Sequence, residues 1–250
     1  MEKKEAYMAL IKCPECGKEF SSFSDRCPNC GCPTSVVKKL IEIEKSIPSK
    51  NENTIKKEGN SIYFGSYYQK DDKTKEPIKW NILKTEGKKA LIITDKIIDT
   101  LKFDEESRNY ENSFIRRWLN NEFYNNAFNE QEKALIEKTL VDNSLASTTD
   151  TKNPYVCKDT LDKVFLLSVK EVQELFKEKK DRITSGTEYA KSKDLYISND
   201  NSYWFLRSPN GDDGDEMVYG IDYDGCLAYL YLEDEDNFGV RPALWIKFDE

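Results

Sequence analysis

Two cysteine motifs stand near the start of the chain, Cys13-Pro14-Glu15-Cys16-Gly17 and Cys27-Pro28-Asn29-Cys30-Gly31. A pair of C-x-x-C motifs at this spacing is typical of a tetrahedral structural zinc site with four thiolate ligands. The glycine that follows each pair allows the backbone to turn close to a metal. We therefore predict that Zn²⁺ is bound by Cys13, Cys16, Cys27 and Cys30.

Disulfide bonds and free thiols are the alternatives for these cysteines. A disulfide framework requires an oxidising compartment, and Met1-Glu2-Lys3-Lys4-Glu5 lacks the apolar stretch of a signal peptide. We therefore expect a cytoplasmic protein. Cys32 is interpreted as a free thiol beside a closed site, with a spare ligand as the alternative.

Composition limits both the size of the protein and its partners. The 250 residues suit one medium domain with an appendage, or two domains, and 38% apolar residues suffice for a core. A net charge of −8 argues against nucleic acid as the main partner, because phosphate binding needs a basic surface. No apolar run reaches the roughly 18 residues that a membrane-spanning helix needs.

Histidine is absent from the chain. Its absence excludes Ser-His-Asp and Cys-His catalysis, histidine proton shuttles and histidine-ligated catalytic metals. An enzyme with this sequence would depend on carboxylates, lysine, tyrosine or cysteine.

The patterns divide the chain into a zinc ribbon (residues 1–34), a helix and linker (35–58) and a larger α+β domain (59–250). Apolar spacing predicts a short helix over 35–45, and the polar segment 48–54 reads as linker. In the large domain, alternation and turn signals predict strands over 61–68, 78–83, 90–94, 163–167, 203–207, 217–223, 226–232 and 240–248. Helical spacing and caps predict helices over 112–128, 130–138 and 168–179.

The C-terminal motifs resemble a known family. Trp204-Phe205-Leu206-Arg207-Ser208-Pro209 is followed by a tyrosine-rich hairpin and by Gly239-Val240-Arg241-Pro242-Ala243-Leu244-Trp245. Together with Trp80-Asn81-Ile82-Leu83 upstream, these motifs resemble a bacterial and phage domain family of unassigned function. The resemblance implies a C-type-lectin-like fold, similar to formylglycine-generating enzymes and to retroelement variable proteins, and an N-terminal zinc ribbon is common in that family.

The enzymatic branch of that fold does not match this chain. Formylglycine-generating enzymes hold copper with a close pair of cysteines, whereas the large domain has only Cys157 and Cys226, far apart in sequence. The related iron enzymes need histidine. The resemblance therefore implies a non-enzymatic binding scaffold, with a metal- or thiol-dependent oxidase as the alternative.

The C-terminal hairpin is the predicted ligand face, and the expected ligand is a protein or a carbohydrate-like molecule. Residues 203–250 contain three basic and twelve acidic residues, a net charge of −9, and tyrosine provides rigid contact area at low entropic cost. A solvated acidic hairpin whose tyrosines only pack along a strand is the alternative. The predicted ligand-binding residues are Asp212, Asp213, Tyr219, Asp222, Tyr223, Tyr229 and Tyr231.

Three further features of the sequence are candidate functional sites, and a structural role is favoured for the first two. The loop 210–216 is acidic and contains glycine, which suits Ca²⁺, but it lacks EF-hand spacing, so a plain acidic turn is favoured. Arg207 and Arg241 are predicted to be buried structural residues rather than anion ligands. A nucleic-acid-binding ribbon is a third alternative for the function, although residues 1–50 carry a net charge of only +2.

Overall fold

The computed structural model describes residues 10–13, 15–39, 55–212, 216–232 and 238–248. The chain separates into two compact units, Met1–Asn53 and Thr54–Glu250. Strand residues outnumber helical ones. Across the described ranges, no helix is both long enough and apolar enough to cross a membrane.

The strands are numbered in chain order. They are β1 (Leu10–Lys12), β2 (Glu19–Ser21), β3 (Lys56–Glu58), β4 (Ser61–Tyr68), β5 (Lys75–Glu86), β6 (Lys89–Thr94), β7 (Asp99–Thr100), β8 (Thr139–Val141), β9 (Thr160–Asp162), β10 (Ile197–Ser198), β11 (Asn201–Ser202), β12 (Trp204–Pro209), β13 (Met217–Ile221), β14 (Leu227–Tyr231), β15 (Gly239–Val240) and β16 (Ala243–Lys247).

The first unit is a two-stranded antiparallel ribbon, β1 with β2, followed by a helix α1 that begins at residue 34 and is described to residue 39. Its buried core contains cysteines, Phe20 and Val37. Such a small core needs additional stabilisation, as expected of a metal-dependent module. The remainder of the predicted helix, 40–45, and the linker 48–54 lie outside the described residues.

The second unit contains two five-stranded sheets. One has the order β16-β6-β5-β4-β3 and is antiparallel throughout. The other has the order β14-β13-β12-β15-β7, in which only β12 and β15 run parallel. Because β15 and β16 are separated only by Arg241 and Pro242, the chain crosses from the second sheet to the first at this point. The sequence placed Lys56–Glu58 in the linker, but these residues form β3 and pair with β4.

Short helices pack around both large sheets. They are α2 (Phe114–Trp118), a π-helical turn (Leu119–Phe123), α3 (Tyr124–Ala127), α4 (Glu130–Lys133), α5 (Val169–Leu175) and α6 (Glu188–Lys191). The aromatic stripe over 114–128 is core, as predicted: Trp118 and Phe123 stack at 5.5 Å, and Tyr67 of β4 meets Phe123 edge-on at 5.2 Å.

Several predicted element bounds differ from the structure. The helix starting at residue 130 ends at Lys133 rather than 138, because the following backbone bonds β16 through Glu137 N–H to Trp245 O (2.8 Å) and Lys247 N–H to Leu135 O (2.8 Å). The predicted strand 163–167 is an extended segment in which only Phe165 pairs, with Ala243. The capping box of Ser168 and Glu171 at the start of α5 is confirmed.

The sequence Asp224-Gly225 predicts a two-residue turn of the primed type between β13 and β14, but the structure has a three-residue loop. Asp222 N–H donates to Cys226 O at 2.9 Å, and Gly225 alone in the loop has a positive φ, +79°. A type I turn followed by one left-handed residue gives this geometry. A Cβ at position 225 would lie 2.1 Å from the carbonyl oxygen of Lys179, so this loop excludes any larger residue.

Candidate functional site

The four predicted zinc ligands meet in the first unit and form a tetracysteine cluster (Cys13, Cys16, Cys27 and Cys30). Their Sγ atoms all lie within 4.8 Å of one another. The Cys13–Cys30 and Cys16–Cys27 sulfur pairs are 3.5 and 3.6 Å apart. A tetrahedral site with metal–sulfur bonds of about 2.3 Å requires sulfur–sulfur distances of about 3.8 Å. The cluster therefore forms a possible metal-binding site of suitable size.

Matched backbone turns hold the two cysteine pairs. In the first turn, Cys13 N–H donates to Lys18 O (2.9 Å) and Gly17 N–H donates to Cys13 O (2.8 Å). The second turn repeats both bonds: Cys27 N–H donates to Cys32 O (2.8 Å) and Gly31 N–H to Cys27 O (2.9 Å). The two glycines have φ of +72° and +78°, a conformation that favours glycine. Local sequence alone thus dictates both turns.

Two thiols of the cluster have pKa values shifted in opposite directions. Hydrogen bonds, above all from the Lys18 backbone N–H, lower the pKa of Cys16 to about 6. The Cys32 backbone N–H lowers the pKa of Cys30, but hydrogen bonds with the other sulfurs, first that of Cys13, outweigh it and raise this pKa to about 12. Thiolates packed this closely repel one another unless a cation neutralises them, which suits a divalent metal.

Cys32 is not part of the cluster. Its side chain is buried, its Sγ lies 3.9 Å from Pro33 O, and burial raises the pKa of its thiol. These contacts agree with a free thiol beside a closed four-ligand site.

The predicted ligand face has its most exposed residues on β14. Tyr229 and Tyr231 are 50% and 45% exposed, whereas Leu230, which points to the opposite face of the strand, is buried. The two-residue period of a strand predicts that Tyr229 and Tyr231 share one face and that Leu230 lies on the other, and the burial pattern agrees. We call the side of β14 that carries Tyr229 and Tyr231 the tyrosine face.

Tyr219 of β13 lies beside Tyr229 on the same side of the sheet. It pairs with Tyr229 across the β13–β14 ladder, and the two ring centroids are 5.1 Å apart. Its ring is buried, and its hydroxyl donates to Asp150 Oδ1 at 2.9 Å. Burial and then the Asp150 carboxylate raise the pKa of Tyr219. Tyr219 therefore positions Tyr229 rather than offering a surface of its own.

Sequence reasoning missed the polar network that holds Asp150. Asn153 Nδ2 donates to Asp150 Oδ2 (2.8 Å) and also to Pro209 O (2.8 Å), which joins the loop after β8 to the end of β12. Arg108 is buried, donates to Asn210 O (3.1 Å) and lies 3.9 Å above the ring of Tyr155. Apart from the Asp150–Asn153 pair, these partners are distant in sequence, and no local motif marks them.

Among the described residues, the other predicted ligand residues do not join the tyrosine face. Asp222 and Tyr223 lie at the turn, the opposite end of the hairpin from Tyr231: the Asp222 carboxylate accepts from the Cys226 N–H (2.8 Å), and the Tyr223 ring packs on Tyr203 at 5.7 Å. Asp212 is exposed, and its carbonyl oxygen accepts from Arg108 (2.8 Å). Asp213 and the centre of the acidic loop lie outside the described residues.

Arg207 and Arg241 are buried structural residues, as predicted. Arg207 donates to Leu166 O (2.6 Å) and pairs with the Glu171 carboxylate. Arg241 donates to Thr94 O (2.9 Å) and stacks over Trp204 at 4.9 Å, and burial lowers its pKa to about 10. Both arginines bond backbone carbonyls, and each also contacts a carboxylate or an aromatic ring. These contacts join the C-terminal strands to neighbouring segments.

Cys157 and Cys226 have different surroundings. Cys157 packs against the main core, where burial and the negative charge of Glu111 raise the pKa of its thiol. Cys226 lies in the hairpin turn, 3.2 Å from Lys179 Nζ. The two thiols share no described contact.

A polar cleft of about 310 Å³ lies elsewhere on the second unit, between the β4–β5 hairpin and the start of α6. Its walls carry ion pairs, Lys70 with Glu76 at 2.7 Å and Lys79 with Asp95 at 3.6 Å. No residue predicted to bind a ligand lines this cleft.

Comparison with known proteins identifies the family. The family described as a domain of unknown function (DUF6273) matches residues 87–248, and the chain belongs to it. The matched range contains the tyrosine face and the polar network around Asp150, and it excludes the tetracysteine cluster. No curated protein and no solved structure matches the chain.

Proposed function

We propose that this protein is a non-enzymatic recognition protein, in which a structural zinc ribbon precedes a domain that binds its ligand on the tyrosine face. One observation carries the proposal: two neighbouring tyrosines, Tyr229 and Tyr231, are about half exposed on a strand whose other face is core. Rigid tyrosines of this kind supply contact area with little loss of side-chain entropy. The ligand class is a protein or a carbohydrate-like molecule.

The support behind these rings favours recognition over mere packing along a strand. Tyr219 and Asp150 fix the ring next to Tyr229 through a buried hydrogen bond, at 2.9 Å. A side chain that is held before binding loses less freedom when a ligand arrives. The same argument does not extend to Asp222 and Tyr223, which are engaged in the turn.

For the first unit we propose Zn²⁺ as the metal, because four thiolates in tetrahedral spacing suit it best. The metal would be structural, since four protein ligands leave no open position for a substrate. The cytoplasm is the compartment we propose, because thiolate ligands must stay reduced. For the second unit we propose a C-type-lectin-like fold, which its antiparallel sheet, its mixed sheet and its C-terminal hairpin support.

The test of this proposal is capture of ligand by the full-length protein. Tyr229→Ala combined with Tyr231→Ala should abolish recovery of whatever the wild-type protein captures from a lysate of its source cells. Tyr196→Ala is the matched control, because Tyr196 is an exposed tyrosine (38%) outside β13 and β14 whose ring packs on Tyr203. Undiminished capture by the double variant would refute the assignment of the tyrosine face.

A further inference from the structure

The outer edges of the two large sheets differ in how they are protected. An edge strand presents unpaired backbone groups to solvent, and proteins protect such edges with charges, short strands or covering segments. β3 consists of Lys56, Lys57 and Glu58, all exposed, so its edge is charged. β7 has only two residues, and Ile97 beside it bonds Ser185 and Thr187.

The edge of β16 is covered by other parts of the chain. Ala243 and Phe165 exchange both backbone hydrogen bonds, at 2.8 and 2.9 Å, and Ile246 pairs with Ile136. β14, the fourth edge, carries no charged residue and is covered by no segment among the described residues. Its sequence, Leu-Ala-Tyr-Leu-Tyr, contains no charge and no proline, and its pairing with β13 is regular along its whole length.

The register shows which backbone groups of β14 point outward. Asp222 N–H bonds Cys226 O and Leu232 N–H bonds Glu216 O, which places hydrogen-bonded pairs at even-numbered positions. In an antiparallel ladder these pairs alternate with pairs that make no bond. The N–H and C=O groups of Leu227, Tyr229 and Tyr231 therefore point away from β13, and no described segment bonds them.

Charge indicates what kind of strand fits this edge. The C-terminal stretch 203–250 carries a net charge of −9, and the described hairpin ends carry Glu216, Asp222 and Asp224. A second copy of the chain would bring the same negative charge, so pairing of two β14 edges is opposed by repulsion. Lysine or arginine side chains on an incoming strand would meet opposite charge, and the rings of Tyr229 and Tyr231 also attract cations.

We propose that β14 binds an extended, basic peptide segment of a partner protein, which adds as a sixth strand to the β14-β13-β12-β15-β7 sheet. This inference rests on the proposed function and specifies the ligand. Backbone hydrogen bonds at Leu227, Tyr229 and Tyr231 provide affinity, as in other cases of strand addition. Alternate basic side chains of the peptide pack against the tyrosine face and provide selectivity.

The test uses arrays of synthetic peptides of about seven residues, the length of an ordinary strand. The first array has lysine or arginine at every second position and other residues randomised. One control array replaces the basic residues by aspartate or glutamate. Another keeps the basic residues and places proline between them, which preserves charge but prevents strand pairing.

We expect the full-length protein to bind members of the basic array at least about tenfold more tightly than their acidic or proline counterparts. Amide exchange followed by NMR should show new protection of Leu227, Tyr229 and Tyr231 in the complex. Tyr229→Lys combined with Tyr231→Lys, which makes the edge resemble β3, should remove the binding. Tyr196→Lys should not.

Several results would overturn the inference. Equal binding of the proline array would show attraction by charge alone, and equal binding of the acidic array would exclude a basic partner. Absence of binding to every array, or a dimer in sedimentation that protects these amides without peptide, would also refute it. If the alanine double variant loses its captured ligand while all arrays fail, the tyrosine face still binds a ligand and only strand addition is wrong.

Discussion

The tetracysteine cluster and the tyrosine face are built in opposite ways. All four cysteines come from one short stretch, Cys13 to Cys30, and two near-identical local turns present them. The tyrosine face depends on a hydrogen bond from the Tyr219 hydroxyl to Asp150, two residues that are 69 positions apart in the sequence. A cluster closed by a single ion should be lost in one step, whereas a face supported by many distant contacts should weaken by degrees.

Metal removal should produce the largest effect and the clearest separation of the two units. Metal binding to sites of this kind contributes on the order of 10 kcal/mol to folding, more than the small core of the first unit can replace. We expect a strong chelator, or Cys27→Ser, to unfold residues 10–39. The melting transition of the second unit should not move, and calorimetry of the whole chain measures both.

Elemental analysis of the purified protein accompanies that experiment. One zinc per chain and no other transition metal would agree with the proposed structural site. Bound copper or iron would instead favour the oxidase alternative. A chelator that lowers the stability of both units equally would contradict the comparison.

Gly225→Ala should have the next largest effect. Alanine would adopt an unfavourable φ of +79° and would place its Cβ 2.1 Å from Lys179 O, so we expect a loss of about 2–4 kcal/mol. Gly59→Ala is the matched control: it has φ of +60° but open space around its Cβ, and should cost only about 1 kcal/mol. Denaturant unfolding of the two variants compares them, and equal losses would show that the contact with Lys179 is unimportant.

Asp150→Asn should have a smaller effect. The substitution preserves shape but exchanges a charged acceptor for a neutral one, so the hydrogen bond from Tyr219 weakens, at a cost of about 1 kcal/mol. Tyr219→Phe should cost a similar amount, and the double variant should cost less than the sum of the two. Strictly additive losses would mean that the two side chains do not stabilise each other.

Tyr229→Ala with Tyr231→Ala should change stability least, by less than about 0.5 kcal/mol for each exposed side chain. The rings are half exposed and the core residues of β14 remain in place. Thermal melting measures the change. A loss of several kcal/mol would show that the tyrosines serve the fold and would remove them as independent recognition residues.

Prediction from sequence succeeded where neighbouring residues determine the structure. The cysteine turns need only their own glycines, and the strand Ser61–Tyr68 and the capping box of Ser168 were correctly placed. The alternation that exposes Tyr229 and buries Leu230 is likewise a local pattern. Burial of Arg207 and Arg241 could be predicted because a guanidinium in an apolar strand requires carbonyl or carboxylate partners.

Prediction from sequence failed where contacts with distant segments determine the length of an element or the burial of a side chain. The α4 helix is short because residues 135–137 bond β16, which lies more than a hundred positions later in the chain. Tyr219 was predicted to bind the ligand, but its ring is buried and its hydroxyl bonds Asp150. Nothing in the sequence near residue 219 indicates that contact, and nothing near Arg108 indicates Tyr155.

Amide hydrogen exchange of the free protein, resolved by NMR, tests the central claim most directly. If β14 is an open edge, the N–H groups of Leu227, Tyr229 and Tyr231 exchange rapidly, while those of Ala228 and Leu230, bonded to β13, exchange slowly. This alternation is the predicted result. Slow exchange at all five positions would show that the edge is already covered, and rapid exchange at all five would show that the hairpin is not stably formed; either result would contradict the account.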